Sequence, residues 1–149
     1  MKKISKILIA AVLGFTLTLA GAISVSATDL EGLTPGFWKN HTEAWADTGF
    51  SPTDQIGSIF NVPDEYNLDD FTLLEALSFG GGKGEIGAAK ILLRASVAAI
   101  LNAGDPDIKY YYLLSSIYSN TNAELNSHNR ADMLWLAGVW DSYNNFGLH

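Results

Sequence analysis

The chain has 149 residues, no cysteine, and 9 basic against 16 acidic side chains, for a formal charge of −7. Lys2, Lys3 and Lys6 all fall within the first 27 residues, so the remainder holds 6 basic and 16 acidic groups, a formal charge of −10. That balance excludes nucleic acid and anionic membrane as natural partners, and the lack of cysteine excludes disulfides, thiol catalysis and a lipid-modified N-terminal cysteine.

The first 27 residues read as an export signal. A basic start is followed by an apolar run over residues 7–19 and by Val25-Ser26-Ala27, small residues at the spacing a signal peptidase accepts. Ala20-Gly21-Ala22 offers an earlier cut. The apolar run is shorter than the roughly 20 residues a membrane span needs, so the expectation is a cleaved leader over 1–27, a secreted or cell-surface location and no stable membrane insertion afterwards. Residues 28–149 have the size of one ordinary domain.

Within that domain the apolar spacing is helical throughout, predicting an all-α, compact bundle of four to five main helices. The spacing predicts a first helix over residues 33–45, capped by Thr34 with Pro35 at its first position, and places Trp38, His41 and Trp45 on one face. Ser51-Pro52 starts a second segment that runs through Ile56, Ile59 and Phe60 to Pro63. A carboxylate-rich loop over 64–70 leads to a short helix capped by Thr72 or Asp70, carrying Leu73, Leu74 and Leu77 and ending at Gly80-Gly81-Gly82. Residues 86–102 are apolar almost all round, as suits the centre of a bundle, with Lys90 and Arg94 marking one wet edge. Beyond Gly104-Asp105-Pro106, Tyr110-Tyr111-Tyr112 suit a short extended stretch, and helical spacing resumes from Leu113 to a break near His128. Asn129, with Asp132 three residues on, caps a last helix bearing Met133, Leu136, Trp140 and Tyr143.

Two readings of the opening segment stay open. Trp38 and Trp45 can stack on sugar rings while Asn40, His41 and Glu43 bond hydroxyls, making these five residues the candidate ligand-binding set; alternatively both indoles anchor the core. Asn40-His41-Thr42 also matches a glycosylation acceptor, which a buried helix would forbid. Asp64, Asp69 and Asp70 are the candidate oxygen ligands of an irregular calcium site, with Asp105 and Asp107 as a second pair and solvated loop carboxylates as the default. The count from Asp64 to Glu75 fits an EF-hand only at its ends, since Tyr66, Leu68 and Asp69 occupy positions that need ligands or glycine. No cofactor is called for, and the glycine run lacks the Lys-Ser/Thr pair of a phosphate loop. His41, His128 and His149 lack zinc spacing, and no serine nucleophile elbow is present. A carboxylate pair for glycoside hydrolysis leaves no local signature; Glu43 and Glu75 are its candidates.

The stretch Thr34-Pro35-Gly36-Phe37-Trp38-Lys39-Asn40-His41 resembles the opening of a group of uncharacterised secreted or cell-surface proteins of bacteria and archaea that begin TPGFWKNH or TxGYWKNH. Residues 72–77, 91–95, 101–103 and Tyr143-Asn144-Asn145-Phe146-Gly147 extend the likeness over most of 33–147. Members often carry a cysteine soon after that last glycine, where Leu148 stands here. The resemblance implies a surface module and no particular reaction. The expected function is therefore a secreted, noncatalytic helical module contacting a cell-envelope or extracellular glycan or protein; the alternatives are a small glycan-active hydrolase and a calcium-dependent adhesion module. Oligomeric state is not encoded legibly.

Overall fold

The computed structural model describes residues 30–147, so the leader over 1–27, Leu148 and His149 lie outside the described residues. The all-α expectation holds: helix makes up 60% of the structure, three of the helices are long, and the described residues contain no strand. A single antiparallel bridge links Gln55 to Thr72.

Three one-turn to two-turn helices come first, α1 (Pro35–Asn40), α2 (Ile56–Ile59) and α3 (Leu73–Ala76). The long helices follow as α4 (Gly84–Gly104), α5 (Leu114–Leu125) and α6 (Arg130–Asn144). Local chemistry sets their starts. Thr34 Oγ1 accepts from Phe37 N with Pro35 next in line, Thr72 and Glu75 form a reciprocal capping box, and Asn129 accepts from the N–H groups of Ala131 and Asp132.

Helix α4 is the axis of the molecule. Leu92, Leu93, Val97, Ile100 and Leu101 are fully buried, α6 packs along the helix, and Gly87 leaves room for the backbone of Gly82. Among the described residues α4 alone is long and apolar enough to cross a membrane, yet 72% of its most apolar window is enclosed by the rest of the fold. At its half-exposed edge, Lys90 Nζ sits 5.9 Å over the Phe79 ring and Arg94 donates to the Phe79 carbonyl at 3.1 Å.

Two expected helices are shorter than their spacing suggested. The first ends at Asn40, where His41 leaves the helical region (φ −128°, ψ 64°), and residues Thr42–Asp47 continue as a 3-10 helix. Side chains take over the end carbonyls: Asn40 Nδ2 donates to Gly36 O at 2.9 Å and Trp45 Nε1 to Trp38 O at 3.0 Å. The second begins at Ile56 rather than Pro52. Asp54 folds back onto Ser51 N at 2.7 Å, and Gly57 lies so close to Asp69 that a Cβ there would stand 2.9 Å from the Asp69 Cβ.

Candidate functional site

The opening motif faces both ways. Trp38 and Trp45 are 0% and 1% exposed, so the stacking platform expected of them is corrected: both indoles are core anchors with no face left for a sugar. Periodicity had also placed His41 beside them, and the break at residue 41 instead turns it outward. Its ring stacks on Phe37 at 4.5 Å, and Nδ1 lies 3.0 Å from Glu43 Oε1. Asn40, His41 and Glu43 are exposed, so the five expected ligand residues split into an inner pair and an outer trio. The Glu43 carboxyl is held below the usual range by its own backbone N–H and then by His41.

The inner side of the motif ends in a buried amide network. Asn102 Oδ1 accepts from Leu33 N at 2.8 Å and Trp38 Nε1 at 3.1 Å, while its Nδ2 donates to Leu33 O at 2.8 Å and Asn144 Oδ1 at 2.9 Å. Asn144 also receives the Tyr110 hydroxyl at 2.9 Å and donates to Ala95 O at 3.0 Å. Burial pushes the Tyr110 pKa up, which keeps that donor protonated. Trp38, Asn102 and Asn144 stand in three of the stretches that carry the resemblance, so those stretches meet inside the fold. No described buried side-chain nitrogen or oxygen lacks a partner.

Exposed aromatic surface gathers at another place, the end of α6. Tyr111 stacks on Tyr143 at 4.9 Å and 21°, and Tyr143 on Phe146 at 6.1 Å and 16°, with Tyr112 set edge-on to Tyr143 at 4.8 Å. Tyr111 is 44% exposed and Phe146 38%. Leu113, 64% exposed, lies at the lip of an adjoining open groove of about 400 Å³ that Ile108, Tyr110 and Tyr112 also line. Sequence spacing could not find this surface, because Tyr111 belongs to a loop and Tyr143 reads as an ordinary core position of α6. The one signal was the run of three tyrosines between two helices.

A second open groove, of about 450 Å³, lies between α2 and the following loop. Asp64 and Asp69 open onto it beside Ser58, Asn61 and Asn122, whereas Asp70 stays outside. Among the described residues no three His, Asp or Glu side chains converge closely enough to hold a metal ion, so the Asp64, Asp69 and Asp70 set is not assembled. Asp105 and Asp107 are tied up in a turn, with Asp105 Oδ1 accepting from Asp107 N at 2.9 Å.

The two glutamates expected as a hydrolytic pair line neither groove. Glu75 is occupied by its cap: Oε2 accepts from Thr72 N at 2.8 Å and Thr72 Oγ1 at 2.9 Å, which holds its carboxyl below the usual range. With Glu43 lowered as well, neither has the raised pKa of a general acid. A cluster missed in the sequence surrounds His128, which sits at φ 54°. Its Nδ1 lies 3.3 Å from Tyr66 Oη, 3.4 Å from Glu85 Oε2 and 3.7 Å from Glu65 Oε1. These groups lie more than 60 residues apart in part, and only the fold brings them together.

Compared with protein-family models, curated proteins and solved structures, the chain matches none.

Proposed function

We propose that this protein is a secreted, noncatalytic helical module that binds a cell-surface or extracellular-matrix partner through the aromatic end formed by Tyr111, Leu113, Tyr143 and Phe146. The observation that carries the reading is the exposure of Tyr111, Leu113 and Phe146 in a fold that buries three of its four tryptophans. Aromatic rings left in contact with water cost free energy unless a partner covers them, and Tyr is among the residues that anchor interfaces. The basic, apolar, small-residue leader supports export, and the motif likeness supports a surface role.

The test is cosedimentation of the exported chain with isolated cell envelopes and insoluble polysaccharides, with calcium or chelator, while released sugar is assayed. Tyr111→Ala and Phe146→Ala are expected to weaken retention at least tenfold, about 1.4 kcal/mol each, with little change in unfolding midpoint. Retention that survives both substitutions rejects the aromatic end as the contact surface. Loss of retention on chelation supports the adhesion-module alternative.

A second reading, the small glycan-active hydrolase, draws on the groove into which Asp64 and Asp69 open. Two carboxylates sharing a cleft are the minimum that glycoside hydrolysis requires. Soluble sugar released by the native chain and not by Asp64→Asn or Asp69→Asn favours this reading over the first.

A further inference from the structure

We infer that Asn40 is an acceptor for an N-linked oligosaccharide, an inference that rests on the exported location proposed above. Asn40-His41-Thr42 is the one Asn-x-Ser/Thr triplet in the chain, and the intervening residue is not proline. Nine other asparagines lack the third-position hydroxyl, so the chemistry points to a single place.

The fold presents that place outward. Asn40, His41 and Thr42 are all exposed, and the backbone leaves the helix at His41, with φ −128° and ψ 64°. An acceptor triplet wound inside a helix would hold its asparagine and threonine in the wrong relation and against neighbouring turns; here the helical register stops between them. On the opposite side of the same segment Trp38 and Trp45 are locked into the core, so a glycan on Asn40 projects away from all buried contacts.

The bond that now occupies the amide is a local one. Asn40 Nδ2 donates to Gly36 O four residues back, and Asn126 and Asn145 make the same bond to Asn122 O and Asp141 O. An exposed bond of this kind exchanges with water at little net cost. Asn40 is therefore free to react without loosening the fold, unlike Asn102 and Asn144, whose amides are buried in the network.

The reaction is a group transfer without redox change. The donor is an oligosaccharide carried on a polyprenyl pyrophosphate, and an oligosaccharyltransferase supplies catalysis. Asn40 Nδ2 bonds to the anomeric carbon, the anomeric C–O bond breaks with its electron pair leaving on the pyrophosphate, and the amide proton passes to a base of the transferase.

The folded full chain, purified without prior glycosylation, is incubated with such a transferase and its lipid-linked donor and weighed intact. One added glycan is expected, mapped to Asn40, absent from Asn40→Gln and Thr42→Val and kept in Glu43→Gln. Circular dichroism checks that each variant retains its helix content. A peptide spanning residues 36–46 is run beside the chain. Modification of the peptide but not of the chain overturns the inference, because the fold then hides the site; modification of neither overturns it because the triplet is then no acceptor. Expression in a glycosylating host separates the two readings, since a product recovered with residues 1–27 uncleaved counts against export while the purified reaction still reads acceptor geometry alone.

Discussion

Replacing Asn102 by alanine tests whether the buried amide network holds the opening motif in place. The substitution strands Trp38 Nε1, which has no access to water, and the N–H and C=O of half-buried Leu33, while Asn144 Oδ1 keeps the Tyr110 hydroxyl. A buried donor left without a partner costs about 1–3 kcal/mol, and the Leu33 groups cost less because solvent reaches them. The expected loss is therefore about 3–5 kcal/mol, a large share of the 5–15 kcal/mol typical of a domain this size. Urea unfolding followed by tryptophan fluorescence reads it as a midpoint lowered by about 1.5–3 M, with the slope unchanged. Trp38→Phe removes the same indole donor and leaves Asn102 Oδ1 one partner, Leu33 N. In the double variant the losses should fall short of additivity by about 1–2 kcal/mol, because the stranded indole no longer exists. Strict additivity refutes the network, as does an Asn102→Ala chain as stable as the parent.

Other expectations follow from the same geometry. Trp45→Ala should destabilise by about 3–5 kcal/mol through the cavity it opens, while leaving envelope binding per folded molecule unchanged; urea midpoint and cosedimentation measured together check this. The Glu75 carboxyl is depressed in the fold, so its contribution to stability is present above the ordinary carboxylate value of 4.5 and is lost as pH falls through its lower folded value. Glu75→Gln should flatten the acid limb of a thermal-stability profile in that window. Asp141 behaves oppositely: half-burial raises its pKa although Arg94 pulls it down, so its ionised form disfavours the fold. Its burden is absent below the unfolded-state pKa and develops as pH rises through the raised folded value. Asp141→Asn should therefore raise the melting temperature at pH 7 by a small amount and lose that advantage below about pH 4, the ordinary aspartate range.

The parts of the fold that depend on neighbouring residues were legible. Thr34 with Pro35 and Asn129 cap helices where their types and spacing predict, and of the two candidates Thr72 and Asp70 it is Thr72 that caps α3, because capping is completed within a single turn. The all-round apolar character of α4 likewise placed it at the centre. Where side-chain bonds to the backbone compete with the helical ladder, spacing failed. The helical period carried Trp38, His41 and Trp45 on one stripe, but a Trp45 indole bonded to the Trp38 carbonyl is a contact between turns that no period encodes. Asp54 misleads differently: its carboxylate accepts from Ser51 N three residues back, a local bond that competes with the first turn of the expected helix. Residue types nominate Trp38 and Trp45 for binding as well as for packing, although helical spacing favours packing. Only burial separates these, and the outward-facing Tyr111 and Phe146 sit where the sequence offers no amphipathic pattern to read.

The segment before α1 is fastened from the far end of the chain. Glu31 N donates to Lys109 O at 3.2 Å, Gly32 N to Phe146 O at 3.0 Å, and Leu33 closes on Asn102, 69 residues later. Gly32 lies so near the Tyr143 carbonyl that any side chain there would collide with it. The earliest part of this domain to emerge during synthesis thus takes its partners in stages, from α4, from the loop at Lys109 and last from Phe146. The clasp therefore closes fully only once Phe146, just beyond α6, is in place. Until then Gly32 N lacks its acceptor, although Asn102 on α4 can already receive the Trp38 indole.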